Sequence, residues 1–331
     1  MAFTEDSRIV VIGGGTGSFM LLEALKPKFK NLTALVTMAD DGGSTGVLRD
    51  ELGVLPPGDV RQCLVALARS PKVRDLFNYR FEEGMLAGHS FGNLFLTALE
   101  KLTGSFAEAV ETASEVLDAQ GRVIPITLDN VRLMLEVSDE FRVRGEHNID
   151  TLRFNGSGSK PRLTLEPRAA INPDALAAIA AADMVIFAPG DLYTSLGPLL
   201  TVDGVADALQ KSKAHKVYIC NLVVKPGQTD GFDVADHAAE IERFAGGPVL
   251  DTVIYNTAEP AGGLPETYVR EGEYLVEVDA QNLKAVHYRA IGKPLLSTKT
   301  VAISEGDPLA AQRSLIRHDG AALLGALLEL R

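Results

Sequence analysis

Two glycine-rich loops near the start of the chain carry the residue types best suited to chemistry. The first, Gly13-Gly14-Gly15-Thr16-Gly17-Ser18, lies between an apolar run, Ile9–Ile12, and a stretch with helical spacing, Phe19–Leu25. Strand, glycine loop and helix in that order suit a phosphate. Glycines let the backbone approach an anion, and the helix start offers free N–H groups and the positive end of its dipole. The second loop, Ala39-Asp40-Asp41-Gly42-Gly43-Ser44-Thr45-Gly46, follows the strand-like run Thr33–Met38. Its carboxylates can accept from ribose hydroxyls or hold a cation between phosphate oxygens, and Ser44 and Thr45 add hydroxyls. Adjacent side chains in extended chain point opposite ways, so one aspartate is expected at the ligand and the other in support of the loop. Asp59 and Arg61 follow the turn Pro56-Pro57-Gly58. Asp59 is read as the cap of a helix reaching about Arg69, with Asp59 and Arg61 facing the same cleft as Asp40 and Asp41 as the sharper alternative.

Further along, His89-Ser90-Phe91-Gly92-Asn93 opens a helix with an apolar face through Leu94, Leu96, Ala98 and Leu99. Ser90 is the natural cap. His89 and Asn93 are four residues apart and share a face if both are helical; His89, Ser90 and Asn93 are candidate ligand contacts, with a structural hydrogen bond at the helix start as the alternative for His89. A second strand–loop–helix comes at Asp183–Ala188 and Pro189-Gly190-Asp191-Leu192-Tyr193-Thr194-Ser195. Gly190, Asp191, Tyr193, Thr194 and Ser195 could cap the helix or close on the same phosphates. The next strand, Lys216–Cys220, ends at Asn221, a polar residue expected to look into the cleft. Asp40, Asp41 and Asp59 are the candidate ligands for Mg²⁺.

The first loop falls short of the dinucleotide fingerprint G-x-G-x-x-G. Gly13 and Gly15 fit, but Ser18 takes the third place and Gly17 is extra. That counts against a nicotinamide-dependent oxidoreductase, for which no catalytic base is evident either. The P-loop pattern is absent. With 32 basic and 44 acidic residues the net charge is −12, which argues against a nucleic-acid backbone or an anionic membrane as partner. No stretch is apolar for the ~18 residues that a membrane span needs. The opening Met-Ala-Phe-Thr-Glu-Asp-Ser-Arg does not read as a signal peptide. Cys63 and Cys220 sit in apolar runs and are expected to be core residues in a reducing compartment.

To position these loops the chain must form a parallel sheet. Arg8–Met38 reads as a βαβ unit and residues 105 to 119 as a helix. Four β-like runs, Arg122–Thr127, Val131–Val137, Phe141–Arg144 and Arg162–Glu166, suggest an antiparallel insertion over 120–168, with a loop at Gly156 and Gly158. The α/β rhythm resumes with a helix at Pro173–Ala182. His237, in the helical pattern Val234–Phe244, is read as a packing or surface residue. Leu250–Tyr255 is a strand, 256 to 298 is turn-rich, and Thr300–Ile303 is a last strand. Pro308–Leu330 reads as a helical pair broken near Asp319-Gly320, its apolar end packing on the core or on a second copy of the chain. The expected fold is a single three-layer, Rossmann-like α/β domain over 1–331, with a mainly parallel sheet and the small antiparallel β insertion.

The segments "GGGTGSFMLLEAL", "VTMADDGGSTGVLRDELGVLPPGDVRQCLVALA" and "AGHSFGNLFLTAL" strongly resemble the gluconeogenesis factor (YvcK-type) family of the CofD-like superfamily, related to 2-phospho-L-lactate transferase. "APGDLYTSLGPLL" and "YICNLVVKPGQTDGFDVADHAAEIERF" extend the resemblance to about residue 245. It implies a cytoplasmic protein that binds a UDP-sugar, such as UDP-glucose or UDP-N-acetylglucosamine. It also implies a role in cell shape or peptidoglycan synthesis during growth on gluconeogenic carbon sources, with partners in wall synthesis. The superfamily relation keeps a Mg²⁺-dependent phosphoryl-group transferase as the alternative.

Overall fold

The computed structural model describes residues 3–154, 160–260, 264, 266–297 and 316–330. Among the described residues ten strands form two sheets: β1 (Arg8–Ile12), β2 (Asn31–Val36), β3 (Arg122–Pro125), β4 (Arg132–Ser138), β5 (Phe141–Arg144), β6 (Arg162–Glu166), β7 (Met184–Phe187), β8 (His215–Ile219), β9 (Thr252–Asn256) and β10 (Arg289–Lys293). Seven of them make one sheet in the order β10-β9-β8-β7-β1-β2-β3, and every pair in it is parallel. The chain builds outward from β1 through β2 to β3, then returns to the other side of β1 and builds outward again from β7. The crossover point therefore falls between β1 and β7. In open α/β sheets that is where ligands sit, outside the carboxyl ends of the strands.

Strands buried on both faces read as continuous apolar runs, as Ile9-Val10-Val11-Ile12 and Val185-Ile186-Phe187 do. Alternate side chains go to opposite faces. Val10 and Ile12 join one core with Ile179 and Ile241, while Ile9 and Val11 join the other with Leu21, Leu22, Leu64 and Leu96. The three-stranded antiparallel sheet, β5-β4-β6, lays Leu133, Leu135, Leu163 and Leu165 into the first core. Each such leucine contributes roughly 1.5–3 kcal/mol when fully buried, so the insertion is held firmly against the body.

Three readings need correction or completion. Arg122–Thr127 was expected in the antiparallel insertion, but Arg122–Pro125 pairs parallel with β2 at the edge of the main sheet, and the antiparallel strands begin at Arg132. A run as short as Val123-Ile124, buried on both faces, carries no period that assigns it to either sheet. The turn-rich 256 to 298 contains β10 and two short helices, Glu266–Glu271 and Asn282–Ala285. The expected strand Thr300–Ile303, the first part of the helical pair before 316, and the loop at Gly156 and Gly158 lie outside the described residues. Of that pair, the helix Gly320–Leu328 is described. The Asp319 side chain caps it, accepting from the N–H of Ala322 at 2.8 Å. Its Leu323, Ala326 and Leu327 are buried in the core with Leu21, Leu22 and Leu25, so this end packs on the body of its own chain.

Both cysteines are buried. His237 is fully buried, with Nδ1 2.9 Å from the Asp233 carbonyl, which makes it a packing residue. Among the described residues no helix is long and apolar enough to cross a membrane.

Candidate functional site

The helix after β1, Gly15–Leu25, starts with no side-chain cap. Its first N–H, that of Gly15, is taken by Asp59, and the N–H groups of the following residues in the first turn have no side-chain acceptor among the described residues. Gly13 has φ +151° and Gly15 φ +62°, conformations that disfavour any side chain. Gly15 faces open space, since a Cβ there meets nothing within 4 Å. A Cβ on Gly14 would lie 2.0 Å from Asp59 Oδ2, and one on Gly17 would lie 1.9 Å from the Pro189 carbonyl oxygen. The three glycines have different tasks. Gly15 leaves the cradle open, Gly14 admits Asp59, and Gly17 lets the loop after β7 close against the loop after β1. Thr16 is exposed on the same turn.

Asp59 does not cap its own helix. That helix, Gly58–Leu67, starts from Pro57 without a side-chain cap, and Asp59 reaches across so that Oδ1 accepts from the Gly15 N–H at 2.9 Å. Burial first, and then the charge of Asp40, pushes its carboxyl up to about 7, against the pull of the Gly15 N–H and Arg61. Asp40 accepts from the Gly42 N–H at 2.9 Å. Burial raises its pKa, while the Gly42 and Thr45 hydrogen bonds oppose the shift. The neighbouring Asp41 turns the other way. Its Oδ1 accepts from the His147 N–H at 2.9 Å and its Oδ2 pairs with Arg132 at 3.2 Å. The two aspartates thus point to different sides, and Asp41 is engaged in supporting the insertion. Among the described residues no group of three or more His, Cys, Asp or Glu side chains is arranged to hold a metal. Of the expected trio, Asp41 is engaged by Arg132 and His147, and Asp40 and Asp59 lie near one another.

A polar chain runs beside this pair. His89 Nδ1 lies 2.8 Å from Ser44 Oγ, and Asn93 Nδ2 donates to the same oxygen at 3.3 Å. Arg61 Nε donates to Asn93 Oδ1 at 3.0 Å, and Nη1 to Asn78 Oδ1 at 2.6 Å. Ser90 caps the helix Phe91–Thr103, accepting from the Asn93 N–H at 3.3 Å. Arg61, Ser90 and Asn93 are all buried. They brace Ser44 and His89 from behind, which is less direct than the ligand-facing place expected for them.

The loop after β7 is tied down by Asn221, which accepts from the Gly190 N–H at 3.2 Å and donates to the Gly190 carbonyl at 3.0 Å. Asn221 acts on that loop, where it was expected to look into the cleft. Asp191 pairs with Lys225 at 2.6 Å, and Lys225 also pairs with Asp150. Burial works against the Lys225 charge, but the two carboxylates outweigh it and hold its pKa above the ordinary value. Residues Leu192–Leu196 form a π-helical turn. It sends Tyr193 into the core, fully buried between Phe154 and Phe244 with ring centroids 5.1 and 6.0 Å away, so Tyr193 is a packing residue. Thr194 is buried with its hydroxyl 3.5 Å from Asp150 Oδ1, and Ser195 is half-buried beside Gly190.

Sequence reasoning missed the short helix Glu146–Asp150 that the insertion delivers here. Asp41 holds its start, and Gln228 Nε2 donates to the carbonyls of Ile149, Asp150 and Leu152 at its end. Burial, then Asp40, Asp150, Asp59 and Asp41, pushes the Glu146 carboxyl up to about 9. The four-residue spacing of Glu146 and Asp150 was the available signal. A cavity of about 530 Å³ lies at the opposite, amino-terminal edge of the sheet, lined by Lys216, Gly247, Asp251 and His287 among others. The polar side chains of Lys216, Asp251 and His287 all find partners within the protein.

The parallel seven-stranded sheet, its crossover between β1 and β7 and the small antiparallel sheet define an α/β protein. The chain belongs to the CofD family, described as 2-phospho-L-lactate transferase CofD, whose family model matches residues 9–296. It is 37% identical over 328 residues to the gluconeogenesis factor of Bacillus subtilis, covering 98% of each chain. It is 44% identical over 319 residues to a Thermotoga maritima relative, covering 96% of each. A crystal structure of a UPF0052-family protein from Bacillus halodurans superposes with a TM-score of 0.87 at 36% identity, over 99% of this chain and 100% of that one.

Proposed function

We propose that this protein binds a nucleotide diphosphate sugar at the carboxyl edge of its sheet and acts as a cytoplasmic gluconeogenesis factor, coupling that ligand to cell shape and wall metabolism. The carrying observation is the uncapped helix start at Gly15, open to solvent and backed by Asp59 and Asp40. The diphosphate lies on the first turn of that helix, with Thr16 and Gly17 donating. Ser44, Thr45 and His89 line the side toward β2, and Gly190, Thr194 and Ser195 close the side toward β7. The uridine and sugar identity rest on the resemblance to the gluconeogenesis factors.

A magnesium ion fits this donor set, because Mg²⁺ is commonly held by one or two carboxylates together with phosphate oxygens. Asp40 and Asp59 are the residues that would hold it, and the ion would neutralise the diphosphate. Asp41, committed to Arg132 and His147, is not a ligand.

A phosphoryl-group transferase is the second reading, favoured by that same carboxylate pair, since such chemistry works through positioning and charge. No thiol nucleophile competes with it. Burial raises the pKa of Cys63 well above the ordinary value and pushes Cys220 up to about 12.

A thermal-shift panel of UDP-sugars, NAD(P) and guanosine diphosphate, each with Mg²⁺ and with a chelator, tests the binding. A ligand that prefers the native state raises the melting temperature. Phosphorus NMR of UDP-N-acetylglucosamine with protein and Mg²⁺ then separates the two readings. An unchanged spectrum supports the binder. Steady release of UDP, UMP or sugar phosphate that disappears in Asp59→Asn makes the protein a transferase. No shift with any nucleotide refutes both.

A further inference from the structure

We infer that Glu146, delivered by the insertion, takes the hydroxyl-bearing part of the ligand beyond its diphosphate and sets which sugar the site accepts. The inference rests on the nucleotide-binding reading above.

Four of the five carboxylates gathered here are already engaged. Asp59 is on Gly15, Asp40 on Gly42, Asp41 on His147 and Arg132, and Asp150 on Lys225. Glu146 alone among them has neither a hydrogen bond nor an ion pair from its carboxyl among the described residues. Its position is nonetheless well determined. A Cβ on Gly42 would lie 3.6 Å from Asp40 Oδ1 and 3.9 Å from Glu146 Oε2, so the two carboxyls converge on the same side of Gly42. The helix that carries Glu146 is pinned at its start by Asp41 and at its end by Gln228. An unengaged group on a clamped support is pre-organised for a partner from outside the chain.

The order of groups tells which part of the ligand that is. Gly15 marks the phosphate end, Asp59 touches it, Asp40 follows, and Glu146 comes next, across Gly42, on the β2 side. In dinucleotide-binding folds an acidic residue after the second strand meets ribose hydroxyls; Asp40 holds that place here, and the Glu146 carboxyl stands beside it across Gly42. The two carboxyl oxygens, one able to donate and one to accept, match a pair of neighbouring hydroxyls. The partner chemistry is therefore a vicinal diol, from the ribose or from the glycosyl unit.

Calorimetric titrations in Mg²⁺ of the parent, Glu146→Ala and Glu146→Gln with UDP, 2′-deoxy-UDP, UDP-glucose and UDP-N-acetylglucosamine test this. The alanine variant is expected to lose about tenfold in affinity for a ligand carrying the recognised hydroxyl. The loss should shrink to within about twofold for the ligand lacking it, as double-mutant coupling requires. That ligand is 2′-deoxy-UDP if the ribose is read and UDP itself if the glycosyl unit is. Glutamine, which keeps one acceptor, should fall between. If the alanine variant does not fold, glutamine carries the test. Parent-like affinity for all four ligands overturns the inference, as does an equal loss on all four. Tighter binding overturns it too, because that is the result of merely removing repulsion from the diphosphate. A parent that binds none of the four refutes the nucleotide reading and this inference with it, whereas a parent that binds isolates the failure to Glu146.

Discussion

Gly17→Ala should destabilise the protein even though it replaces a helical glycine by the best helix former. In an unconstrained helix the exchange gains about 1 kcal/mol. Here the added Cβ would sit 1.9 Å from the Pro189 carbonyl oxygen and 3.0 Å from its carbonyl carbon. Both partners are backbone, so neither can rotate away, and the loops after β1 and β7 must separate by roughly an ångström. Overpacking of this kind costs about 1–3 kcal/mol, occasionally more, and two rigid partners put it at the upper end. The net loss is about 2 kcal/mol, or a fall in Tm of about 3 °C for a chain of this size. Gly325 supplies the control. It is an exposed helical glycine whose added Cβ meets nothing within 4 Å, so Gly325→Ala should raise Tm by about a degree or two through propensity alone. Scanning calorimetry of the two variants reads both effects. A Gly17→Ala protein that melts at or above the parent refutes the claim that the two loops are packed backbone to backbone.

Gly15→Val places its side chain in open space at φ +62°, so it should fold with about 1–2 kcal/mol of strain and lose at least tenfold in nucleotide affinity by calorimetry; unchanged affinity would remove the phosphate cradle. Asp59 holds its proton more tightly in the native state (about 7) than at the ordinary value of 3.8, so the stability it contributes is present in acid and lost as pH rises from about 4 through 7. In a chelator, Asp59→Asn should therefore match the parent near pH 4 and melt progressively above it toward pH 7, with a constant gap beyond; a gap that does not vary with pH contradicts the burial argument. Nucleotide affinity should drop when Mg²⁺ is chelated and lose that dependence in Asp40→Asn, and binding indifferent to magnesium in the parent takes the ion out of the site. Asp41→Ala should speed amide exchange over 145–152 and leave the main sheet unaffected, since it frees the start of the short helix; equal protection in both proteins would show that the helix is held by packing alone.

Much of the fold was legible because its signals are local. Apolar runs ending in glycine loops announce a parallel sheet, and they placed the loops after β1, β2 and β7 at the edge where they are found. The ladder position of Arg122–Pro125 was not legible, because pairing with β2 is decided by a partner some ninety residues away in the sequence and not by any period of its own. The site divides the same way. That Asp40 and Asp41 would separate follows from strand geometry, whereas which side faced Asp59 depended on Arg132 and His147, both distant in sequence. Asp59 looked like a cap because its type and place fit one; only the approach of Gly14 and Gly15 gives its carboxylate a better donor. Tyr193 looked available because it follows a glycine loop. The π-helical turn rotates it into the core, and such a turn leaves no mark in composition.

The docking of Gly320–Leu328 against Gly15–Leu25 has a consequence for the order of biosynthesis. The apolar side of the earlier helix is complete only when Leu323, Ala326 and Leu327 reach it. On the ribosome that side waits for roughly 300 further residues to be made, and β1 waits for β7 on its other flank. The nascent chain therefore carries an unfinished layer through most of its synthesis, and must rely on chaperones or on slow emergence to keep it from pairing with another chain. Truncation before residue 320 would leave that layer permanently unfinished, so nonsense changes late in the gene should yield insoluble protein despite an intact ligand edge.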